Sequence, residues 1–176
     1  MHLWCSPGAT FELGRLTVLV APPERMAALL ELPGIVNFHT RYLYHGLSKV
    51  LFRVPPVRSE HFEAAACATL DEMMAGVRSS FHTVLMIEWD PALASWLEVE
   101  ERSRRMSRLT AALKRRASSS IVIVYAPAMD EALRLVADGA DQTVWLVPVP
   151  AEPRPAVTTR SKAQRTLAET GWGASS

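Results

Sequence analysis

Residues 16–32 read "LTVLVAPPERMAALLEL", and the fold turns on how this stretch is parsed. Leu16–Ala21 is an unbroken run of apolar and β-branched residues, the mark of a strand covered on both faces. Pro22 and Pro23 follow; proline fixes φ and offers no N–H, so the pair ends a strand and can open a helix. Met26–Leu32 then places Met and Leu on one side of a short helix. A buried strand, a tight turn and a helix form the first unit of an open α/β sheet.

The same grammar recurs along the chain. Further strands are expected at Ile35–Thr40, Lys49–Val54, Thr83–Glu88, Ile121–Tyr125 and Thr143–Val147. Between them, Glu60–Val77 reads as a helix, with Ser59 as N-cap and Phe62, Ala66, Leu70 and Met73 on one face. Glu98–Ala117 is the clearest helix. Its acids Glu98, Glu100 and Glu101 come first and its bases Lys114, Arg115 and Arg116 last, matching the helix dipole. Asp130–Ala137 is a last short helix. The expectation is one α/β domain with a mostly parallel central sheet flanked by helices, over residues 1–150. Residues 151–176 are Pro-rich and basic and read as an extended tail.

At 176 residues and 49% hydrophobic, the chain can bury a sizeable core. Lys and Arg number 19 against 18 Asp and Glu, so bulk charge gives no argument for nucleic acid or membrane. Cys5 and Cys67 form no Cys-x-x-Cys pair, and the N-terminus lacks a signal-peptide pattern. No apolar run reaches the roughly 18 residues of a membrane helix. A cytoplasmic protein is expected.

Chemistry is harder to find. The turn after the first strand stands where a phosphate-binding loop would lie, yet "APPERMAAL" has no glycine and no Gly-Lys-Ser/Thr. Pro22 and Pro23 supply no N–H to phosphate, while Glu24 and Arg25 offer charge without a cradle. The strand "VLMIEWD" ends in Glu88, with Asp90 behind it, as a magnesium-orienting acid would. The five histidines show no metal-ligand spacing, no nucleophile elbow is present, and Cys67 reads as a core thiol. The arginines of the long helix fall all around it, as on a solvated face. "FEAA" at 62–65 mimics a Phe-x-x-Ala assembly plug but reads as core at helical spacing.

In order and spacing, these pieces resemble the ATPase core of the RecA/RadA recombinase superfamily, in its archaeal RadA-like and KaiC-like branch. "GRLTVLVAPP" resembles the segment entering the family's phosphate loop, and "IVNFHTRY" the next strand, with His39 and Arg41 where acids are expected. "KVLFRVPPVRSEHFEAAACATLDEMMAG" resembles the third strand and its helix. "HTVLMIEWDPAL" with the helix and strand that follow it resembles the Walker B region, and "ALRLVADGADQTVWL" the approach to the last core strand. The likeness spans residues 11–147.

What this resemblance implies is a paralogue without Walker A. Pro22, Pro23, Glu24, Arg25, Arg41, Glu88 and Asp90 would be the remnant of a nucleotide site, with no catalytic residue, cofactor or metal. Such a protein would modulate recombination or repair by binding a related recombinase or other RecA-fold protein, in a homo- or hetero-oligomer, and DNA weakly at most. Arg102, Arg105, Lys114, Arg115, Arg116 and the tail's Trp172 are the candidate DNA or partner contacts. The alternatives are an atypical ATPase using Arg25 and Glu88, and an inhibitor akin to the cell-division inhibitor SulA.

Overall fold

A computed structural model describes residues 2–5, 9–32, 35, 37–53 and 60–146. Eight strands and four helices occur among them. The chain opens with a hairpin, β1 (His2–Cys5) and β2 (Ala9–Glu12), paired antiparallel. A tight turn through Gly14 (φ 90°) leads into β3 (Leu16–Val20) and then α1 (Pro23–Leu30). β4 (Thr40–His45) and β5 (Phe62–Cys67) come next, followed by α2 (Leu70–Ser79) and β6 (Val84–Glu88). α3 (Val99–Ala117), β7 (Ile121–Ala126), α4 (Glu131–Gly139) and β8 (Gln142–Trp145) complete the order.

Strands β3 to β8 form one six-stranded sheet in the order β5-β4-β6-β7-β3-β8, with every pairing parallel. A parallel sheet needs cover on both faces, and two apolar clusters supply it. On one face, Leu43, Leu85, Ile87 and Val124 pack with Met73, Met106, Leu109, Leu113 and Leu133 of α2, α3 and α4. On the other, Tyr42, Met86, Ile123 and Tyr125 pack with Phe11 of the hairpin and Met26, Leu29 and Leu30 of α1. β3, β6 and β7 are buried along their whole length, which is why they read as continuous apolar runs.

The expected strands at 16–21, 83–88 and 121–125 and the helix at 98–117 stand where the sequence placed them, within a residue at the ends. The helix expected at 130–137 runs 131–139, and the strand expected at 143–147 is 142–145, with Val147 outside the described residues. Three expectations need correction. The strand expected at 35–40 is instead Thr40–His45, and Ile35 is a buried anchor whose carbonyl accepts from Thr40 Oγ1 at 3.1 Å. The segment 49–54 is no strand: Leu51–Arg53 is a single 3-10 turn, and Val54 and Ser59 lie outside the described residues.

The single helix expected at 60–77 is a strand and a helix. Phe62–Cys67 pairs along its whole length with β4, so long-range pairing overrides the helical preference of three consecutive alanines. The helix starts at Thr69, whose Oγ1 accepts from the Glu72 N–H at 3.2 Å while Glu72 Oε2 accepts from the Ala68 N–H at 2.7 Å. This is the reciprocal logic of a capping box. The "FEAA" stretch consequently sits in edge strand β5, with Phe62 half-buried and Glu63 and Ala64 exposed. The tail from 151 onward, Trp172 included, lies outside the described residues.

Candidate functional site

In a parallel α/β sheet the strands end together, and crevices at those carboxyl ends are where ligands bind. Here that edge carries Glu88 and Asp90 after β6, His45 at the end of β4, Cys67 at the end of β5 and the turn Pro22–Arg25 after β3. Glu88 is 7% exposed and is held from three sides. Tyr42 Oη donates to its Oε2 at 2.9 Å, Ser48 Oγ donates to the same oxygen, and the Lys49 N–H donates to Oε1 at 3.0 Å. Ser48 Oγ in turn accepts from the Leu51 N–H at 2.9 Å.

These bonds fasten the loop after β4 across the strand ends. Gly46 makes the reversal, at φ +59°, a left-handed conformation that disfavours residues with a Cβ. Val50, fully buried, then packs into the cluster that holds Ala21, Met26, Ala27 and Tyr125. The Arg53–Glu24 ion pair at 3.2 Å closes the loop against the first turn of α1. Val50 thus packs beside the carboxyl ends of β3 and β7, while Tyr44, Leu47, Ser48, Leu51 and Phe52 line a cavity of about 250 Å³ on the same loop.

The turn Pro22–Arg25 is a plain helix start. Pro23 occupies the first helical turn, Pro22 forms the N-cap without a side-chain bond, and the Pro22 carbonyl accepts from Arg25 and Met26 N–H at 3.0 and 3.3 Å. A nucleotide phosphate needs converging backbone N–H groups and a cation. This turn lacks the first, and Arg25 makes no ion pair or side-chain hydrogen bond among the described residues. Magnesium is held by carboxylate oxygens, and three of the roughly four lone-pair sites of Glu88 already accept protein donors, two on Oε2 and one on Oε1. The turn therefore lacks the backbone cradle of a phosphate site, and Glu88 keeps little free acceptor capacity for a cation.

Around this centre, burial and then the neighbouring Glu88 push the Tyr42 phenol far above its ordinary range, so it stays a donor. Burial and Glu88 act alike on Tyr125, whose buried hydroxyl has no hydrogen-bond partner among the described residues. His45 Nδ1 lies 3.1 Å from Asp90 Oδ2, and His45 stands in register with Cys67 on the adjacent strand. That juxtaposition could suggest a thiol nucleophile. Burial, followed by the charge of Glu72, instead pushes the Cys67 thiol up, away from the thiolate a nucleophile needs. For Asp90, burial works to raise the pKa but is outweighed by the Ala92 N–H and by His45, leaving it below its ordinary 3.8. Asp90 also caps the 3-10 turn Pro91–Leu93, and Asp130 caps α4 while accepting from Trp89 Nε1 at 2.7 Å. Among the described residues no group of three His, Cys, Asp or Glu is placed to hold a metal ion.

Arg41 does not join this site. It lies near the start of β4, opposite Leu85 rather than Glu88, and pairs with Glu63 at 3.4 Å. Three strand steps, about 10 Å, separate its register from that of Glu88. The expectation that it stands in for a catalytic acid beside Glu88 and Asp90 came from placing the strand at 35–40.

The candidate contacts on α3 divide in two. Arg102 pairs with Glu131 at 2.7 Å, Arg105 with Glu101 and Asp71 at 2.9 and 3.1 Å, and Lys114 with Asp141 at 3.5 Å. Arg116 donates to the His82 carbonyl at 2.8 Å, and burial lowers its pKa. Of the five, Arg115 alone keeps its side chain uncommitted among the described residues. Sequence reasoning missed Tyr42, Ser48 and His45, because their roles come from strand register and not from any local motif.

The class that this geometry defines is a RecA-like α/β fold: an all-parallel sheet with a strand-turn-helix at β3 and an acid at the end of a buried central strand. Among solved structures, the chain is similar to the flagellar accessory protein FlaH from Methanocaldococcus jannaschii. The TM-score is 0.53 at 13% identity, covering 77% of this chain and 72% of FlaH. At that identity the likeness is one of fold. No protein-family profile matches the sequence, and no curated protein matches it. Among the described residues no helix is long and apolar enough to cross a membrane.

Proposed function

We propose that this chain is a non-catalytic RecA-fold protein that works by binding a partner protein, a related RecA-fold recombinase, and so modulates recombination or repair in the cytoplasm. The observation that carries the reading is the commitment of Glu88. The strand-end acid Glu88 is spent on holding the loop after β4, and Val50 of that loop is buried beside Ala21 and Met26. The Pro-Pro turn, without N–H groups at 22 and 23, points the same way. A scaffold that loses its ligand chemistry retains its surfaces, and surfaces are what a paralogue needs to engage a related protein. Any contact with DNA is secondary, since four of the five candidate cations on α3 are already engaged inside the protein.

Two measurements on the full chain test this. Calorimetric titration with ATP and magnesium should show no saturable heat at millimolar ligand. A purified RadA-type recombinase, immobilised, should capture the chain with measurable dissociation kinetics. Saturable, magnesium-dependent ATP binding would revive the atypical ATPase that uses Arg25 and Glu88. Absence of recombinase binding would remove the partner named here.

A further inference from the structure

The outer face of α3 has a composition that the inner chemistry of the fold does not use. Trp96, just ahead of the helix, is 66% exposed, and Val99 beside it is 74% exposed. The Arg105 guanidinium lies 5.9 Å from the Trp96 ring centroid, and Glu101 and Asp71 pair with Arg105 from two elements. An exposed aromatic set against an arginine is the residue type that dominates interface energies.

Below it, Arg104 and Arg108 are exposed, one turn apart, and have no acidic partner among the described residues. Together with Arg105, Met74, Asp71 and Glu101 they line a cavity of about 140 Å³ between α2 and α3. Arg115, also uncommitted, continues the line. Residues 104, 108 and 115 fall within about 40° of one another around the helix and span about 16 Å along it. Guanidiniums left unpaired in a row, on a chain with net charge +1, make a local rather than a global electrostatic feature.

We infer that this face, Trp96 with Arg104, Arg108 and Arg115, docks an acidic amphipathic protein segment, its carboxylates on the arginines and an apolar side chain against Trp96. Charge complementarity selects the occupant. A nucleic-acid strand running along the arginines would meet Glu98, Glu100 and Glu101 at the Trp96 end, where phosphate is repelled. A protein segment can end its acidic stretch there and turn apolar. The chain's own tail carries Arg154, Arg160, Lys162 and Arg165 against Glu152 and Glu169, the wrong sign for this surface. A second copy in twofold register across α3 would bring arginine against arginine.

The inference rests on the partner-binding reading above and deepens it by naming the surface and the chemistry of what sits there. The test uses the full chain and two fluorescent probes. One is a helical peptide with glutamates at i, i+4 and i+11 and a leucine beyond them; the other is oligo-deoxythymidine. Anisotropy should show saturable peptide binding that weakens with salt. Reversing two arginines (R104E with R108E) should weaken it at least about tenfold, and Trp96→Ala about tenfold. Arg134→Glu, an exposed arginine on α4, should leave it unchanged. Circular dichroism of each variant separates lost binding from lost fold. Peptide binding that is absent, or indifferent to R104E with R108E, overturns the inference, as does tighter binding of the oligonucleotide than of the peptide. Nucleotide calorimetry run alongside distinguishes the two levels. Silent ATP with silent peptide removes this surface only, whereas saturable ATP binding removes the non-catalytic reading beneath it.

Discussion

The two ends of the sheet hold ionisable clusters of similar richness and opposite design. At the carboxyl end, one acid, Glu88, is surrounded by uncharged donors from Tyr42, Ser48 and the Lys49 amide. At the amino end, His39, His61 and His82 line up at the starts of β4, β5 and β6, with Arg41 and its acid Glu63. His82 Nε2 lies 3.2 Å from Glu63 Oε2, and the rings of His39 and His61 meet edge-on with centroids 4.4 Å apart. The first cluster behaves as a rivet, its acid held by neutral donors. The second includes His82, whose pKa burial lowers.

The largest effect should come from pulling the rivet. Glu88→Ala leaves the fully buried Tyr42 hydroxyl, Ser48 Oγ and the Lys49 amide without their acceptor, and should cost about 3 kcal/mol in urea denaturation. Glu88→Gln keeps one acceptor oxygen and should cost less than half of that. Equal stability of Glu88→Ala and wild type would mean the acid is not structural, and the comparison fails at its first term.

Next in size is the loop reversal. Gly46→Ala places a Cβ at φ +59° with nothing within 4 Å to clash, so its cost is backbone strain alone, about 1–2 kcal/mol. A stabilised Gly46→Ala would show that the loop after β4 relaxes readily and does not depend on the left-handed turn at Gly46.

The amino end should announce itself in pH. Burial lowers the His82 pKa below its ordinary 6.5, only partly offset by Glu63. The unfolded chain therefore binds the proton first, and stability falls as pH drops from about 6.5 toward the native value. Asp90, held below its ordinary 3.8, contributes a separate loss as pH falls through its native value. Thermal melts from pH 7 to 3 should show two declines, and His82→Gln should erase the upper one while leaving the lower. A single decline common to both proteins breaks the contrast between the two ends.

Smallest is the exposed clasp. Arg53→Ala removes a pair whose side chains are 47% and 66% exposed, and should cost under about 1 kcal/mol. A larger loss would mean that the clasp, and not Glu88, carries the loop.

What the sequence made legible follows from where the information resides. β3, β6 and β7 are enclosed on both faces, so their apolar runs are written locally, and the graded charges of α3 mark its ends without help from the fold. β4 and β5 are different. "TRYLYH" mixes polar and apolar residues because Arg41 and His45 turn toward charged partners at the two ends of the sheet, and "FEAAAC" is helix-prone. Both are strands only because each has a neighbour to pair with. The capping-box signal at Thr69 and Glu72 was available in "TLDE" and marks the true helix start. The acid at Glu88 was visible as a strand-end carboxylate; its three donors were not, because they lie 39 to 46 residues away and are brought in by register.

The strand order has a consequence for synthesis. β3, the first core strand to leave a ribosome, takes its place between β7 and β8, the last two. Until β7 emerges it has no hydrogen-bonding partner among the core strands, while β5, β4 and β6 can already associate. A nascent chain therefore carries an apolar strand that must be kept from other strands for most of translation. Stalled chains ending before residue 121 should engage holding chaperones and stay protease-sensitive at β3, and protection there should appear abruptly once β7 clears the exit tunnel.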